Sequence, residues 1–231
     1  MIAIIDYDAG NLKSVEKALI YLGKEARITR DAGEILEADH VILPGVGSFG
    51  DAMEKLHKYN LVDTIHQVVE QGTPFLGICL GLQLLFERSD ESQGVDGLGI
   101  LPGEILRIPN KEDLKIPHMG WNSLEFHSVA SDEEGNPIYG RLFQGIENNP
   151  YVYFVHSYYL KAKEEQIVTA STQYGTHIHA SVEKDNVFAC QFHPEKSGNT
   201  GLKILKNFSD IEKISDKKEV VSQNTSRKEE E

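Results

Sequence analysis

Apolar positions along the first ninety residues follow two alternating patterns. Continuous apolar runs, typical of strands buried in a parallel sheet, occur at residues 2–5, 41–43 and 74–78. Apolar residues that recur every three or four positions, as on one face of a helix, occur at residues 12–22, 61–69 and 83–87. Gly23 and Gly72 follow the first two helical patterns, and helix C-termini favour glycine there. The alternation predicts βαβ units and a mostly parallel sheet.

The pattern changes from about residue 95 onward. The chain becomes rich in glycine, proline and β-branched residues, and it predicts short strands, partly antiparallel, at residues 105–108, 151–159, 167–172 and 187–192. A helical pattern returns at residues 201–208. The segment 128–136 is polar and acidic, and it predicts an exposed loop.

The length of 231 residues is sufficient for one sizeable α/β domain. We predict that this domain spans residues 1–208. Residues 209–231 are charged, contain no aromatic side chain and end in three glutamates, so we predict a disordered tail there.

Composition narrows the range of partners and compartments. The formal net charge of −13 repels phosphate backbones and anionic lipid, which argues against nucleic acid and membrane partners. No stretch approaches the ~20 apolar residues of a membrane span, and the chain begins without a signal-peptide pattern. Two cysteines, Cys79 and Cys190, form no disulfide framework, so we expect free thiols and a cytoplasmic location.

The strongest candidate for chemistry is Cys79, which lies in the sequence GICLG where a predicted strand meets a predicted helix. Glycines on both sides permit a sharp turn that presents the nucleophile at the carboxyl edge of the sheet. The following helix N-terminus favours the thiolate and offers backbone N–H groups to an oxyanion. A lone cysteine is more often a buried structural residue. That interpretation suits Cys190, whereas the glycine context favours catalysis for Cys79.

A base and a group that orients it occur together in the sequence QFHPE at residues 191–195. Cysteine catalysis needs a base to handle the thiol proton and a group that fixes the tautomer of the base. His193 follows a predicted strand, and Glu195, two residues later, can reach its imidazole. In isolation such a sequence is as typical of a surface turn as of a catalytic site. For His177 and His179 no third metal ligand is visible, so we predict neither a metal site nor a cofactor.

These sequences resemble the class I, triad-type glutamine amidotransferases. The resemblance covers about residues 1–208 and, within the family, is greatest to the glutaminase subunits of imidazole glycerol phosphate synthases of histidine biosynthesis. It rests on DYDAGNL at 6–12, LPGVGSFG at 43–50, GICLGLQLL at 77–85, PHMGWN at 117–122, YFVHSYY at 153–159 and QFHPEKS at 191–197.

The resemblance implies an α/β fold with a flavodoxin-like, mostly parallel central sheet, flanking helices and some antiparallel strands. It also implies roles for individual residues. Cys79 would be the nucleophile, His193 the general acid and base, and Glu195 the residue that orients His193. Backbone N–H groups at Leu80 and in the strand segment with Val46 and Gly47 would form the oxyanion hole. Glutamine-binding residues would be Gln83, Glu91, Ser157 and Tyr158.

The resemblance further implies a heterodimer with a (βα)₈-barrel synthase that receives ammonia. The surface facing that partner would contain His118, Met119, Trp121 and Asn122. An exposed tryptophan suits an interface anchor. Judged by residue type alone, a core position for Trp121 is as typical as an exposed one. The acidic segment around residues 128–140 and the charged tail are longer than the family pattern, and both bear on the partner surface.

Two alternative functions remain open from the sequence. The chain could be a paralogous glutaminase that supplies ammonia to an amidino-sugar synthase of surface polysaccharide biosynthesis. It could also be a non-catalytic regulator that uses the fold only for binding, although a pure binder does not need all three of Cys79, His193 and Glu195.

Overall fold

The computed structural model describes residues 1–214. Within this range the chain forms six α-helices: α1 (Leu12–Tyr21), α2 (Ala32–Leu36), α3 (Phe49–Lys58), α4 (Leu61–Glu70), α5 (Leu80–Leu84) and α6 (Gly198–Ser209). The strands are β1 (Ile2–Ile5), β2 (Ala26–Thr29), β3 (His40–Gly45), β4 (Phe75–Cys79), β5 (Arg88–Ser89), β6 (Gly103–Arg107), β7 (His118–Ser123), β8 (Glu125–Phe126), β9 (Ser128–Ser131), β10 (Pro137–Tyr139), β11 (Tyr151–His156), β12 (Tyr158–Ala162), β13 (Val168–Gln173), β14 (His177–Lys184) and β15 (Val187–Cys190).

Five parallel strands form one half of the central sheet, in the order β2-β1-β3-β4-β15. This is the 2-1-3-4-5 order of flavodoxin-like folds, with β15 in the place of the fifth strand. Functional groups in such sheets lie beyond the carboxyl ends of the strands. The predicted α/β fold class with a mostly parallel central sheet is therefore confirmed.

The other half of the sheet is mainly antiparallel and continues in the order β15-β14-β12-β6-β5, while β13 pairs with β14 and β8 pairs with β13. Strands β7 and β11 form a separate antiparallel pair beside it. This pair is the element that carries aromatic side chains to the surface near the candidate site.

Two apolar cores cover the two faces of the parallel half, because successive strand residues point to opposite faces. Ala3 and Ile5 of β1 pack with residues of α3 and α4, whereas Ile2 and Ile4 pack with residues of α1 and α6. Helices on both faces explain why the parallel strands read as continuous apolar runs. This arrangement holds the carboxyl ends of β3, β4 and β15 in fixed relative positions.

The structure corrects three element predictions. The segment 128–136 is exposed but is not a loop throughout, since β9 within it pairs with β10 in a hairpin whose two faces both meet solvent. The run at 151–159 is two strands, β11 and β12, separated at Ser157. The helix predicted over 83–87 instead ends at Leu84, because the carbonyls of Leu84 and Leu85 accept hydrogen bonds from the N–H groups of Leu98, Ile100 and Leu101.

The predicted domain boundary at residue 208 falls inside the last turn of α6. Residues after that point still contact the domain: the Ile211 carbonyl bonds His40 Nε2 at 2.8 Å, and Ile214 N–H donates to Gly72 O. Residues 215–231 of the predicted tail lie outside the described range. The division into a domain and a tail stays a prediction.

Candidate active site

Cys79 lies at the junction of β4 and α5 in a conformation that few non-glycine residues adopt, with φ 55° and ψ −107°. Strain of this kind costs on the order of 1–3 kcal/mol and persists where the surroundings enforce it. Here the enforcement is steric. A Cβ on Gly81 would lie 1.8 Å from Leu43 O, and one on Gly77 would lie 2.7 Å from Gly81 O. The two flanking glycines therefore let the chain turn sharply and hold the thiol at the strand end.

His193 and Glu195 lie just after β15, the strand that pairs with β4. His193 Nδ1 lies 2.8 Å from Glu195 Oε1, and both side chains are buried. Because a carboxylate only accepts, Nδ1 carries the hydrogen, and Nε2 is the nitrogen available to a reacting group.

The electrostatic balance at His193 favours the imidazolium. Burial lowers the pKa of His193, but the neighbouring Cys79 and the hydrogen-bonded Glu195 raise it more, so the pKa lies at about 10. His193 can therefore hold a proton at neutral pH. A thiolate opposite an imidazolium is the reactive form of a cysteine nucleophile.

Two glutamines extend this arrangement. Gln191 Nε2 lies 3.7 Å from Cys79 Sγ, and Gln83 Nε2 donates to both Gln191 Oε1 and Tyr158 O at 3.1 Å. With its donors engaged in this way, Gln83 keeps its own carbonyl oxygen for a ligand. We did not identify Gln191 from the sequence, although it stands two positions before His193.

A cavity of 280 Å³ has Cys79 in its wall. It is lined by Val46, Gly47, Cys79, Leu80, Gln83, Glu91, Pro117, Val155, His156, Ser157 and Tyr158. The structure thus brings all four predicted glutamine-binding residues and all three predicted oxyanion residues to the same cavity as Cys79. Their individual roles stay predictions. Glu91 Oε2 also accepts from Phe49 N–H at 2.8 Å, which ties this wall of the cavity to the start of α3.

The end of β3 lies against the start of α5, where the predicted oxyanion groups are. Gly45 is in register with Cys79, and a Cβ on Gly45 would lie 2.4 Å from the Tyr7 hydroxyl and 2.9 Å from Leu80 Cβ. Only glycine permits this approach. Gly47 follows with φ 104°, a conformation that side-chain-bearing residues rarely adopt. Close packing at Gly45 and backbone freedom at Gly47 therefore bracket the segment that would supply the second N–H donor.

The four predicted interface residues divide between the two faces of β7. Met119 and Trp121 are 62% and 55% exposed, and the Trp121 ring makes an edge contact with Tyr153 of β11 at 6.1 Å. His118 is buried and Asn122 is half-buried, facing the opposite way. Only Met119 and Trp121 thus present the aromatic and apolar surface expected of an interface anchor.

His118 instead belongs to a buried histidine pair that the sequence did not reveal. His156 Nδ1 lies 2.9 Å from Tyr158 O, and its Nε2 lies 3.0 Å from His118 Nδ1. A carbonyl only accepts, so His156 donates from Nδ1 and accepts at Nε2 from His118. Burial lowers the pKa of His118 to about 4 and, with the neighbouring imidazole, lowers the pKa of His156 to about 3. Both rings are therefore neutral at pH 7.

The described part of the chain holds neither a metal site nor a membrane-spanning helix. Within residues 1–214, no three histidine, cysteine, aspartate or glutamate side chains are placed to hold a metal ion. In the same range, no helix combines the length and apolar character needed to cross a membrane.

The chain is similar to known proteins over most of its length. The family model for class-I glutamine amidotransferases matches residues 3–211. The imidazole glycerol phosphate synthase subunit HisH of Caldanaerobacter subterraneus subsp. tengcongensis is 52% identical, with 91% of this chain and 98% of that protein covered. The protein of the same name from Methanocaldococcus jannaschii is 49% identical, with 91% and 100% covered.

Solved structures agree in fold. A glutamine amidotransferase crystal structure has a TM-score of 0.68 at 20% identity, covering 90% of this chain and all of the other. PurLQS from Thermotoga maritima has a TM-score of 0.68 at 21% identity, covering 90% of this chain and 97% of the other. The resemblance drawn from the sequence is thereby confirmed, and the chain belongs to the class-I glutamine amidotransferase family.

Proposed function

We propose that this chain is the glutaminase subunit of an imidazole glycerol phosphate synthase, hydrolysing glutamine to glutamate and ammonia for a synthase subunit. The observation that carries this proposal is the buried His193–Glu195 pair beside Cys79. Cys79 itself lies on a strained turn and lines the cavity. The relatives that share about half of this sequence bear the name of that subunit.

The reaction starts with attack of the Cys79 thiolate on the carboxamide carbon of glutamine. The tetrahedral oxyanion is stabilised by the Leu80 N–H and by one N–H of the segment 46–47. His193 then transfers its proton to the departing nitrogen, which leaves as ammonia, and a glutamyl thioester remains on Cys79.

Water completes the cycle. His193, now neutral, takes a proton from the attacking water, and collapse of the second tetrahedral intermediate releases glutamate and regenerates the thiolate. Throughout, Glu195 keeps the Nδ1 hydrogen of His193 in place, so that Nε2 always faces the reacting atoms. The roles of base and acid therefore alternate on a single nitrogen.

Recognition of glutamine would come from the polar groups around the cavity. The free Gln83 carbonyl and the Glu91 carboxylate suit the ammonium group of the substrate, and the Ser157 hydroxyl suits its carboxylate. Tyr158 also lines the cavity, and its backbone carbonyl accepts the hydrogen bond that orients Gln83.

The partner in this proposal is a (βα)₈-barrel synthase in a cytoplasmic heterodimer, which uses the ammonia to form imidazole glycerol phosphate and an aminoimidazole carboxamide ribotide. The exposed face of β7 and β11, with Met119, Trp121 and Tyr151, would contact it. Val155 and His156 of β11 line the cavity, so the face and the cavity share this strand, and this proximity suits direct transfer of ammonia.

Steady-state glutamine hydrolysis tests the proposal in three samples: the isolated chain, its complex with the synthase subunit, and that complex with the nucleotide substrate of the synthase. In the isolated chain we expect one N–H donor of the segment 45–47 to face away from the oxyanion, so that the partner and its ligand turn this donor into place. Glutamine hydrolysis should therefore be slow in the first sample and about 10²–10³-fold faster in the third, the effect of one oxyanion donor. Equal rates in all three would reject activation through the segment 45–47. Absence of glutamine hydrolysis in all three would reject the function itself.

A further inference from the structure

The loop between β1 and α1 has no part in the reaction described so far, although it passes directly behind the triad. Asn11 occupies the N-cap position of α1 with a left-handed backbone, φ 71°. An N-cap asparagine normally accepts a hydrogen bond from the first turn of its helix. The Asn11 side chain makes no such bond. Instead its Nδ2 donates to Glu195 Oε1 at 2.6 Å, across 184 residues of sequence.

Glu195 Oε1 therefore accepts from two side chains, Asn11 Nδ2 and His193 Nδ1. The Glu195 side chain is fully buried, and within residues 1–214 its other oxygen has no hydrogen-bond partner. Asn11 is thus the contact, apart from His193 itself, that fixes the rotation of this carboxylate. A donor in that position also favours the charged form of the acceptor.

The same loop touches the oxyanion segment. A Cβ on Gly10 would lie 2.9 Å from Val46 Cγ2, and the Tyr7 hydroxyl lies against Gly45. On its outer side the loop is held by Arg30, which donates to Asp6 at 2.7 Å and to Asp8 at 2.6 Å. The loop is therefore anchored from outside and contacts both halves of the catalytic apparatus.

From these contacts we infer that Asn11 is a positioning residue, which acts through Glu195 to hold His193 in the orientation that catalysis needs. This inference rests on the proposed glutaminase reaction. The left-handed backbone of Asn11 fits this role, because that conformation turns the amide away from its own helix and toward Glu195.

Two substitutions separate the amide from the backbone. Asn11→Gly keeps the left-handed conformation and removes the amide, and Asn11→Asp keeps the shape but replaces the donor with an acceptor. Asn60→Gly is a matched control: Asn60 is the exposed N-cap of α4, it has φ 54°, and its side chain makes no capping bond. Each variant is assayed for glutamine hydrolysis as the full chain in complex with the synthase subunit, over a range of pH.

We expect Asn11→Gly to lower kcat by about 10–100-fold, the usual effect of removing a side chain that orients an active group, with little change in KM. A carboxylate deprived of a donor takes up a proton more readily, so the acidic limb of the kcat/KM profile moves to higher pH. Asn11→Asp should move that limb further, because a second negative charge would face Glu195. Asn60→Gly should match the wild type in both respects.

Wild-type glutamine hydrolysis is measured first, so that failure of the proposed function is recognised independently of Asn11. Given an active wild type, the inference is overturned if both Asn11 variants keep activity within about twofold of Asn60→Gly. It is equally overturned if activity falls without a shift of the acidic limb, since a purely structural defect has that signature. Should Asn11→Gly not fold, the isosteric Asn11→Asp decides by the same two criteria.

Discussion

The parallel half of the central sheet and the antiparallel strands beside it differ in what they expose. In the parallel half, β1, β4 and β15 are buried at every position, with helices on both faces. Beside the antiparallel half, β11 alternates between buried and accessible residues, so that one strand serves a core and a surface. The parallel half therefore holds reactive groups at its edge in fixed positions, and the antiparallel strands connect the cavity to the outside.

This difference assigns different tasks to residues that meet in one cavity. Cys79 and His193 are presented by parallel strands β4 and β15, whereas Ser157 and Tyr158 come from the junction of β11 and β12. Groups that form and break bonds need fixed geometry, and groups that bind and communicate benefit from a strand with two accessible faces. Substitutions in the two halves should therefore fail in different ways.

The largest expected effect is at the nucleophile. Cys79→Ala should reduce glutamine hydrolysis by at least about 10⁴-fold, because no thioester can form. Ser157→Ala on the antiparallel side should mainly raise KM, by about 5–10-fold for one lost hydrogen bond. Steady-state kinetics of the complex measure both, and ammonia-dependent synthesis by the partner should persist in each.

Cys190→Ala is the control for that comparison, since Cys190 lies in β15 beside β4 and is fully buried, with burial raising its thiol pKa. Its glutamine hydrolysis should stay within a few-fold of wild type. If Cys190→Ala is as inactive as Cys79→Ala, the strained turn at Cys79 is not what makes a cysteine catalytic here.

The second effect concerns stability. Gly81→Ala should lower the free energy of unfolding by about 3 kcal/mol or more, because its Cβ would lie 1.8 Å from the Leu43 carbonyl in the parallel half. Gly135→Ala, in the exposed hairpin between β9 and β10, meets no atom within 4 Å and has φ 84°, so it should cost only about 1 kcal/mol. Urea denaturation distinguishes them, and equal losses would contradict the rigid packing inferred for the parallel half.

The smallest effect depends on pH and probes the antiparallel side. Below pH 6.5 the unfolded chain protonates His118 and His156, whereas burial keeps their pKa values in the folded protein at about 4 and 3. Stability contributed by the neutral pair is therefore lost as pH falls from 6.5 toward 4. Between pH 7.5 and 5 we expect a loss of about 1–2 kcal/mol for each histidine.

His118→Asn should reduce the acid-induced loss of stability by about 1–2 kcal/mol, the contribution of one histidine. His57→Asn, at an exposed position, should leave the loss unchanged. The measurement is urea denaturation at both pH values. An identical pH dependence in wild type and His118→Asn would show that His118 titrates normally in the folded protein.

Most of the parallel half was predictable from the sequence, because buried parallel strands and amphipathic helices produce strong periodic signals. Helix α3 was not predicted, although Ser48 caps it and its buried residues Phe49, Ala52, Met53 and Leu56 recur at helical spacing. The hairpin of β9 and β10 was also missed, since strands without a buried face carry no alternating pattern. Helix α5 ends early because of a contact from residues 98–101, and local sequence contains no signal for it.

The residues of the candidate site likewise divide into those with a local sequence signal and those set by contacts between distant segments. Cys79, His193 and Glu195 could be identified because their chemistry is linked to short local sequences. Asn11, Gln191 and the His118–His156 pair act through contacts between distant segments, and a single sequence does not reveal which segments meet. The burial of His118 beside exposed Met119 follows from strand alternation. It could have been inferred once β7 was recognised as a strand.

The position of β15 has a consequence for the synthesis of this protein. Strand β4 pairs with β15 through Phe75 and Val187, so the edge of a central strand stays open while 112 further residues are made. At ribosomal rates of about 5–20 residues per second, this interval lasts roughly 6–20 seconds. The nucleophile emerges early and its base emerges late. A nascent chain that lacks His193 therefore lacks the proposed base, and its open β4 edge can pair with another chain until β15 is made.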